Sequence, residues 1–371
     1  MKQKKKFALI YNFSHHYRKS IFKKLDDNLD IDFYFGDYLD WAPDIKKMDL
    51  RELKGFKTEL QNKRFLKLFT WQKGSLKAII NKGYTHVILY GDSFYFSNWF
   101  IMIYCRIFKI KTAIWTHGLT NDIKGLSGLY NRAFYSLANY ILLYGDYAKG
   151  KMIENGFIPS KLLVIYNSLD YEKQLKIRKE INESTVYLDN FGNSKPVLLY
   201  IGRIQKVKKL EMIIRALDKL KTTEYECNFI ILGEDKEGVN LEEMVTEMQL
   251  QENVWFYGAC YDEEVIGNLL FNATACVSPG NIGLTAMHSL VYGTPAITHN
   301  NFSNQGPEFE AIQPGKTGGF FLENDIDSLI DVIKILVKKS KEERDTIRVN
   351  CYEKIDSFYN PNYQLSVINS I

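Results

Sequence analysis

Two series of short apolar runs, alternating with segments of helical length, constrain this chain more than any other feature. Residues 7–11, 31–35, 86–90, 111–115, 140–144 and 163–166 are rich in Ile, Leu, Val, Phe and Tyr and have strand length. Helical patterns at 17–25 and 126–138 lie between them. A second series follows, with strands expected at 197–201, 228–232 and 254–257 and helices at 210–220, 241–248 and 263–271. Such alternation predicts parallel sheets with helices on both faces, an α/β doubly wound architecture.

A chain of 371 residues exceeds the usual size of a single core, so two domains are expected. Residues 1–170 form the first and 196–345 the second. The polar, weakly periodic stretch 171–195 is the expected linker. Residues 346–371 form a C-terminal segment placed to pack back on the first domain.

The densest chemistry lies between Cys276 and Gly319. A strand ends at Ser278-Pro279-Gly280, continues as Asn281-Ile282-Gly283-Leu284-Thr285, and re-enters as a helix expected from near Gly283 to Tyr292. A strand end leading into a helix start presents unpaired backbone N–H groups to an anion such as phosphate. Gly293-Thr294-Pro295 and the tail from Glu310 to Gly318 complete the stretch. Earlier, Gly202-Arg203 follows a strand, and Lys208 precedes a helix.

This order of parts resembles the donor-binding half of family 4 glycosyltransferases, a retaining group with the GT-B fold of two Rossmann-like domains facing a cleft. The resemblance implies a metal-independent transferase without a cofactor, using a nucleotide-diphosphate sugar and a glycan or lipid-linked acceptor in bacterial surface polysaccharide synthesis. It gives Arg203 and Lys208 the donor diphosphate, and Gly202, Gly280, Asn281, Ile282, Gly283, Leu284, Thr285, His288 and Glu310 the donor site. The family's paired glutamates, E-x(7)-E, fall on Gly280 and His288, so both acids are absent. His288 either bonds a ribose hydroxyl or is a helix residue satisfied locally. Lys209 stands where the family usually has Gly. In the first domain, His117 at a strand end matches a residue near the donor sugar and is expected to stabilise it or assist proton movement. The first βα loop lacks the family's Gly-Gly; its Ser14, His15, His16, Tyr17 and Arg18 are the candidate acceptor residues. Asn167 to Asp170 resembles a junction motif.

Charge is divided unevenly. Residues 1–170 hold 27 Lys/Arg against 15 Asp/Glu, whereas 171–371 hold 21 against 29. Residues 54–82 alone carry eight basic residues and one acid among aromatic and aliphatic side chains. Such a segment either lies on an anionic membrane surface or attracts a diphosphate-bearing acceptor, or it is a solvated helix face with an apolar stripe. Nucleic acid is not the expected partner, because no recognised module accompanies the charge.

Other features exclude classes of function. Five scattered cysteines lack C-x-x-C spacing and fit buried thiols in a reducing cytoplasm, with peripheral attachment to the inner face of the plasma membrane the alternative location. The charged start, residues 1–6, precedes only a strand-length apolar run, unlike a signal peptide. Residues 94–108 are expected as a buried helix, too short and too polar to span a bilayer. Asp325 and Asp327 fit a helix start better than a metal motif. The main rivals are a non-catalytic GT-B nucleotide-sugar-binding module and a membrane-surface partner protein.

Overall fold

Every strand expected in the two series forms, because each is a run of side chains that only a buried, two-faced sheet can shelter. The computed structural model describes residues 4–40 and 45–371, so residues 1–3 of the charged start lie outside it. The chain divides into two units, one up to Asp170 joined by Pro361–Ile371, the other Tyr171–Asn360.

The first unit contains β1 (Phe7–Tyr11), α1 (Lys19–Asn28), β2 (Ile31–Gly36), β3 (Phe56–Phe65), β4 (Phe69–Lys73), α2 (Ser75–Ile79), β5 (His86–Tyr90) and α3 (Phe96–Ile107). It continues with β6 (Lys111–Thr116), α4 (Gly125–Leu137), β7 (Tyr140–Leu143), α5 (Asp146–Glu154) and β8 (Leu162–Val164). Its sheet runs β4-β3-β2-β1-β5-β6-β7-β8. Among the strands of the described residues, only β3 and β4 are antiparallel neighbours. β1 is buried along its whole length and pairs in register with β2 (Phe7 to Ile31) and β5 (Phe7 to His86), so the sheet reverses direction of growth beside it.

The second unit holds α6 (Tyr171–Glu180), α7 (Val186–Phe191), β9 (Val197–Ile201), α8 (Glu211–Leu220), β10 (Asn228–Leu232), α9 (Leu241–Glu247), β11 (Val254–Gly258) and α10 (Glu263–Asn272). Then come β12 (Ala275–Val277), α11 (Thr285–Val291), β13 (Ala296–His299), β14 (Gly318–Phe321), α12 (Ile326–Val337) and α13 (Lys341–Phe358). The six parallel strands are ordered β11-β10-β9-β12-β13-β14. Growth reverses between β9 and β12, the crevice where open α/β sheets bind ligands.

Four expectations need correction. Residues 171–195 are not an extended linker: α6 and α7 occupy them, anchored by Tyr171, Gln174, Ile177 and Tyr187, all buried. Their apolar contacts are too sparse in sequence to reveal a helical period. Of the alternatives for the basic segment 54–82, the helix face does not form: the segment is mainly a β-hairpin, with Lys63 opposite Trp71 and Phe65 opposite Phe69. α3 is buried on one face only; Ile101, Met102 and Cys105 enter the core while Phe100, Ile103 and Ile107 are exposed. The C-terminal segment divides, α13 staying with the second unit and α14 (Pro361–Ser370) packing on α1 in the first.

α14 is held by Gln364, whose Nε2 donates to Tyr166 O at 3.0 Å and whose Oε1 accepts from Ser168 Oγ at 2.6 Å. Ile368 is fully buried in the core of the β1 face. We expect Ile368→Ala to destabilise the first unit by about 2–4 kcal/mol, the usual cost of a large-to-small change in a packed core. Chemical denaturation should show this loss in the first unit's transition; an unchanged midpoint would place α14 outside the folded unit.

Candidate functional site

The second unit's site is assembled where β9 and β12 end side by side. Gly202 and Arg203 follow β9, and the buried Tyr200 hydroxyl donates to Arg203 O at 2.8 Å, fixing the turn. Arg203 is exposed. A 3-10 turn, Lys206–Lys208, then leads to Lys209, which adopts the left-handed conformation at φ 53°. The backbone shape that favours Gly is thus kept by a Lys, whose Nζ reaches Asn324 Oδ1 at 2.7 Å and Glu323 Oε1 at 3.3 Å.

The two loops are tied together. Lys208 Nζ donates to Asn281 O at 2.5 Å, and Gly280 N donates to Lys208 O at 3.0 Å. Burial, then the neighbouring Arg203 charge, lower the Lys208 pKa, with the Glu308 charge opposing. This close approach also explains Gly280. A Cβ there would lie 2.1 Å from Val207 O and 2.8 Å from Lys208 Cα, so no side chain, and no carboxylate, fits on this backbone.

Beyond it, Gly283 turns the chain at φ 49°, and α11 begins two residues later than expected, spanning only seven residues. Its entry is braced by Thr285, whose hydroxyl donates to Ile201 O at 3.0 Å, and by Asn281, whose Nδ2 donates to Asn304 O at 3.2 Å. The Ile282 amide is taken by Gln305 Oε1. Ile282 is buried, while Gly283 and Leu284 are half-buried.

One ring nitrogen of His288 is bonded to a neighbouring helix. Its Nε2 lies 2.9 Å from Oε1 of Glu263 at the start of α10, an oxygen that also accepts from Gln174 Nε2 at 2.9 Å and Tyr292 Oη at 2.8 Å. Against the upward push of burial, these hydrogen bonds hold the Glu263 carboxyl down at about 2. Sequence reasoning missed Glu263, because it comes from a different helix, 25 residues earlier. It also passed over Glu308, which is buried in the 3-10 segment Pro307–Ala311, whereas Glu310 is only half-buried. Asp325 caps α12 by accepting from Ser328 N at 2.9 Å, and Asp327 pairs with Lys219 at 2.6 Å, so both serve the helix and its surroundings.

In the first unit, His117 follows β6, its ring 4.7 Å from that of Tyr144. The first βα loop is largely interior: Ser14, His15 and Arg18 are buried, His16 is exposed and Tyr17 half-buried. Arg18 lies over the rings of Tyr11, Trp115 and Tyr144 at 5.1–5.2 Å and donates to the Tyr144 hydroxyl. Among the described residues its Nη1 has no hydrogen-bond partner, nor do Ser14 Oγ and His15 Nδ1. Desolvation, then the Arg18 and His16 charges, push the His15 ring down to about 3.

Residues 189–353 match the family described as Glycosyl transferases group 1. That match lies within the second unit and covers less than half of the chain. Among curated relatives, N-acetyl-alpha-D-glucosaminyl L-malate synthase of Bacillus anthracis is 23% identical over 208 residues, 54% of this chain and 51% of that protein. N-acetylgalactosamine-N,N'-diacetylbacillosaminyl-diphospho-undecaprenol 4-alpha-N-acetylgalactosaminyltransferase of Campylobacter jejuni is 28% identical over 173 residues, 43% of each. The chain therefore spans about half the length, or less, of these relatives. Among solved structures, Anabaena Alr3699/HepE in complex with UDP aligns over 98% of both chains with a TM-score of 0.71 at 14% identity. The lipopolysaccharide outer core galactosyltransferase WaaB aligns over 98% of both with a TM-score of 0.69 at 17% identity. At such identities the likeness shows the fold, two Rossmann-like α/β units.

Two outcomes test this geometry. Because the folded Glu263 pKa is depressed, its stabilisation is present above about pH 4.5 and lost as pH falls towards 2. Glu263→Gln should cost about 1–3 kcal/mol at neutral pH and flatten the acid limb of stability against pH; an identical acid limb would show that the carboxylate is not charged in the fold. Arg18→Met, which replaces a buried charge by an apolar chain of similar length, should leave the melting temperature unchanged or raise it. Arg18→Ala should lose about 2–4 kcal/mol through the hole left among the rings. Equal losses in both variants would mean that the guanidinium charge itself holds the loop.

Proposed function

We propose that the chain is a glycosyltransferase that moves a sugar from a nucleoside diphosphate to a glycan or lipid-linked acceptor, with retention and without a metal, in bacterial surface polysaccharide synthesis. The observation that supports this reading is the junction of the turns that leave β9 and β12, where Arg203 follows β9, Lys208 Nζ donates to Asn281 O and Gly280 N donates to Lys208 O. Two cations held near each other resemble the charge distribution a diphosphate needs. Cleavage of a sugar–phosphate bond builds negative charge on the departing diphosphate, and fixed cations stabilise that charge more as it grows. The amides of Gly283 and Leu284 lie in the same loop system and add to that field.

The HepE structures with UDP and UDP-glucose make uridine diphosphate the first ligand to test. His117 supplies a first-unit group for the sugar or for a proton. A second reading, a nucleotide-sugar-binding module without turnover, is favoured by one observation: Gly280 has no room for a carboxylate. Hydrolysis of donor in the absence of acceptor separates the two, since the binding module would show none.

Arg203→Ala and Lys208→Ala should each weaken UDP binding by about 1.5–3 kcal/mol while uridine is bound as before. Because burial and Arg203 lower the Lys208 pKa, UDP affinity should also fall as alkaline pH removes that proton, with proton uptake on binding in this range. Calorimetry that finds UDP affinity intact in both variants rules out the diphosphate assignment.

A further inference from the structure

The β3–β4 hairpin and α3 form one continuous surface whose composition fits neither a core nor an ordinary solvated face. β4 lies along α3: Trp71 and Phe100 rings are 5.6 Å apart, Phe65 and Phe96 6.1 Å, and Gln72 N donates to Ser97 Oγ at 3.3 Å. On the outside, Leu66 is 77% exposed, Leu68 61%, Ile107 69% and Phe108 58%, and Phe100 and Ile103 are exposed beside them. Phe100, Ile103 and Ile107 share one face of α3 by their three- and four-residue spacing. The opposite face enters the core, so this helix is apolar on both sides.

The hairpin tip repeats the anomaly. Leu66 and Lys67 both take positive φ, 49° and 59°, in the tight connection between Phe65 and Phe69. Glycine or asparagine is the usual choice at such positions, and a leucine there gains nothing locally. The connection nevertheless holds Leu66 and Leu68 out in solvent on either side of Lys67.

The charge around these side chains is mainly positive, with the acids Asp40 and Asp92 set in the recess beside Leu68. Asp92 is the only acid between Leu60 and Asn121, a stretch that holds nine Lys and Arg. Lys63, Lys67, Lys73, Arg106 and Lys109 are exposed, and among the described residues none of them forms an ion pair. A second copy of this chain is a poor occupant, because a two-fold contact would set these cations against themselves. An anionic bilayer suits both components, accepting leucine and phenylalanine at the headgroup–acyl boundary and lysine at the lipid phosphates.

We infer that this face of the first unit docks on an anionic lipid bilayer, with the Leu66–Leu68 tip and the outer stripe of α3 entering the interface. A recess of about 230 Å³, lined by Arg64, Thr70, Asp92 and Tyr95, uses the same hairpin as one wall. Docking brings that recess to the bilayer surface, where a lipid-linked acceptor is presented. The surface belongs to the first unit and the candidate donor site to the second, and the two are tested separately.

The experiment is sedimentation of the full chain with vesicles of phosphatidylcholine, with and without about one-third phosphatidylserine, at low and high salt. Binding is expected only to the anionic vesicles and should weaken with salt. Leu66→Asp with Ile107→Asp, and separately Lys63→Glu with Lys67→Glu and Lys109→Glu, should each reduce it about tenfold or more. Tyr261→Asp, an exposed change in the second unit, should leave it intact. UDP affinity measured on every variant reports folding and the donor site independently of lipid. A native chain that ignores anionic vesicles at low salt, or surface variants that bind them as the native chain does, overturns the inference. So does a concentration-dependent dimer that the Leu66→Asp, Ile107→Asp variant abolishes while vesicle binding is absent.

Discussion

Parallel pairing is the constraint from which the rest follows. A parallel ladder sends every strand's carboxyl end to the same edge, so residues distant in sequence become neighbours without any loop having to search for its partner. In the second unit, β9 and β12 are adjacent though more than seventy residues apart, and the turns that leave them must share one small space. Gly280 against Val207 and Lys208 is the physical expression of that sharing. The Lys208 bond to Asn281 O closes the same junction from the other side.

Backbone contact there leaves the local chemistry to be supplied from elsewhere. Position 280 has no side chain, and position 288 carries an imidazole that cannot act as a carboxylate. Two acids come from other elements, Glu263 at the head of α10 against His288, and Glu308 in a buried 3-10 segment where its charge acts on Lys208. A motif defined by spacing along one helix therefore looks empty, although charge is present in three dimensions. The cost is borne by hydrogen bonding: Glu263 stays ionised in a mostly buried setting only because three donors converge on it.

Much of the architecture was legible because it depends on period. Uninterrupted apolar runs such as residues 7–11 and 228–232 have one comfortable home, the interior of a parallel sheet, and both are strands. Where the period was weak, the sequence misled. The hairpin at 56–73 carries its apolar residues on an edge rather than in a core, and its Lys and Arg residues mask alternation. α6 is anchored by Tyr171, Gln174 and Ile177, a pattern too polar to separate from a linker. In the site, the residues adjacent in sequence to strand ends were visible, Gly202, Arg203 and Gly280 among them. The partners that arrive through tertiary contact, Glu263 and Glu308, were not, and neither was the depth at which Ser14, His15 and Arg18 lie.

The division of α13 from α14 has a consequence for how the chain acquires its structure. The first unit is discontinuous: its sheet is complete by Val164, yet Ile368 and Ile371 belong to the core on one face of that sheet. On a ribosome, α1 can cover part of that face early, whereas the part that α14 covers waits until the whole second unit has been synthesised. The second unit is contiguous and can close first. The apolar surface awaiting α14 stays exposed on a nascent chain until residues 361–371 emerge.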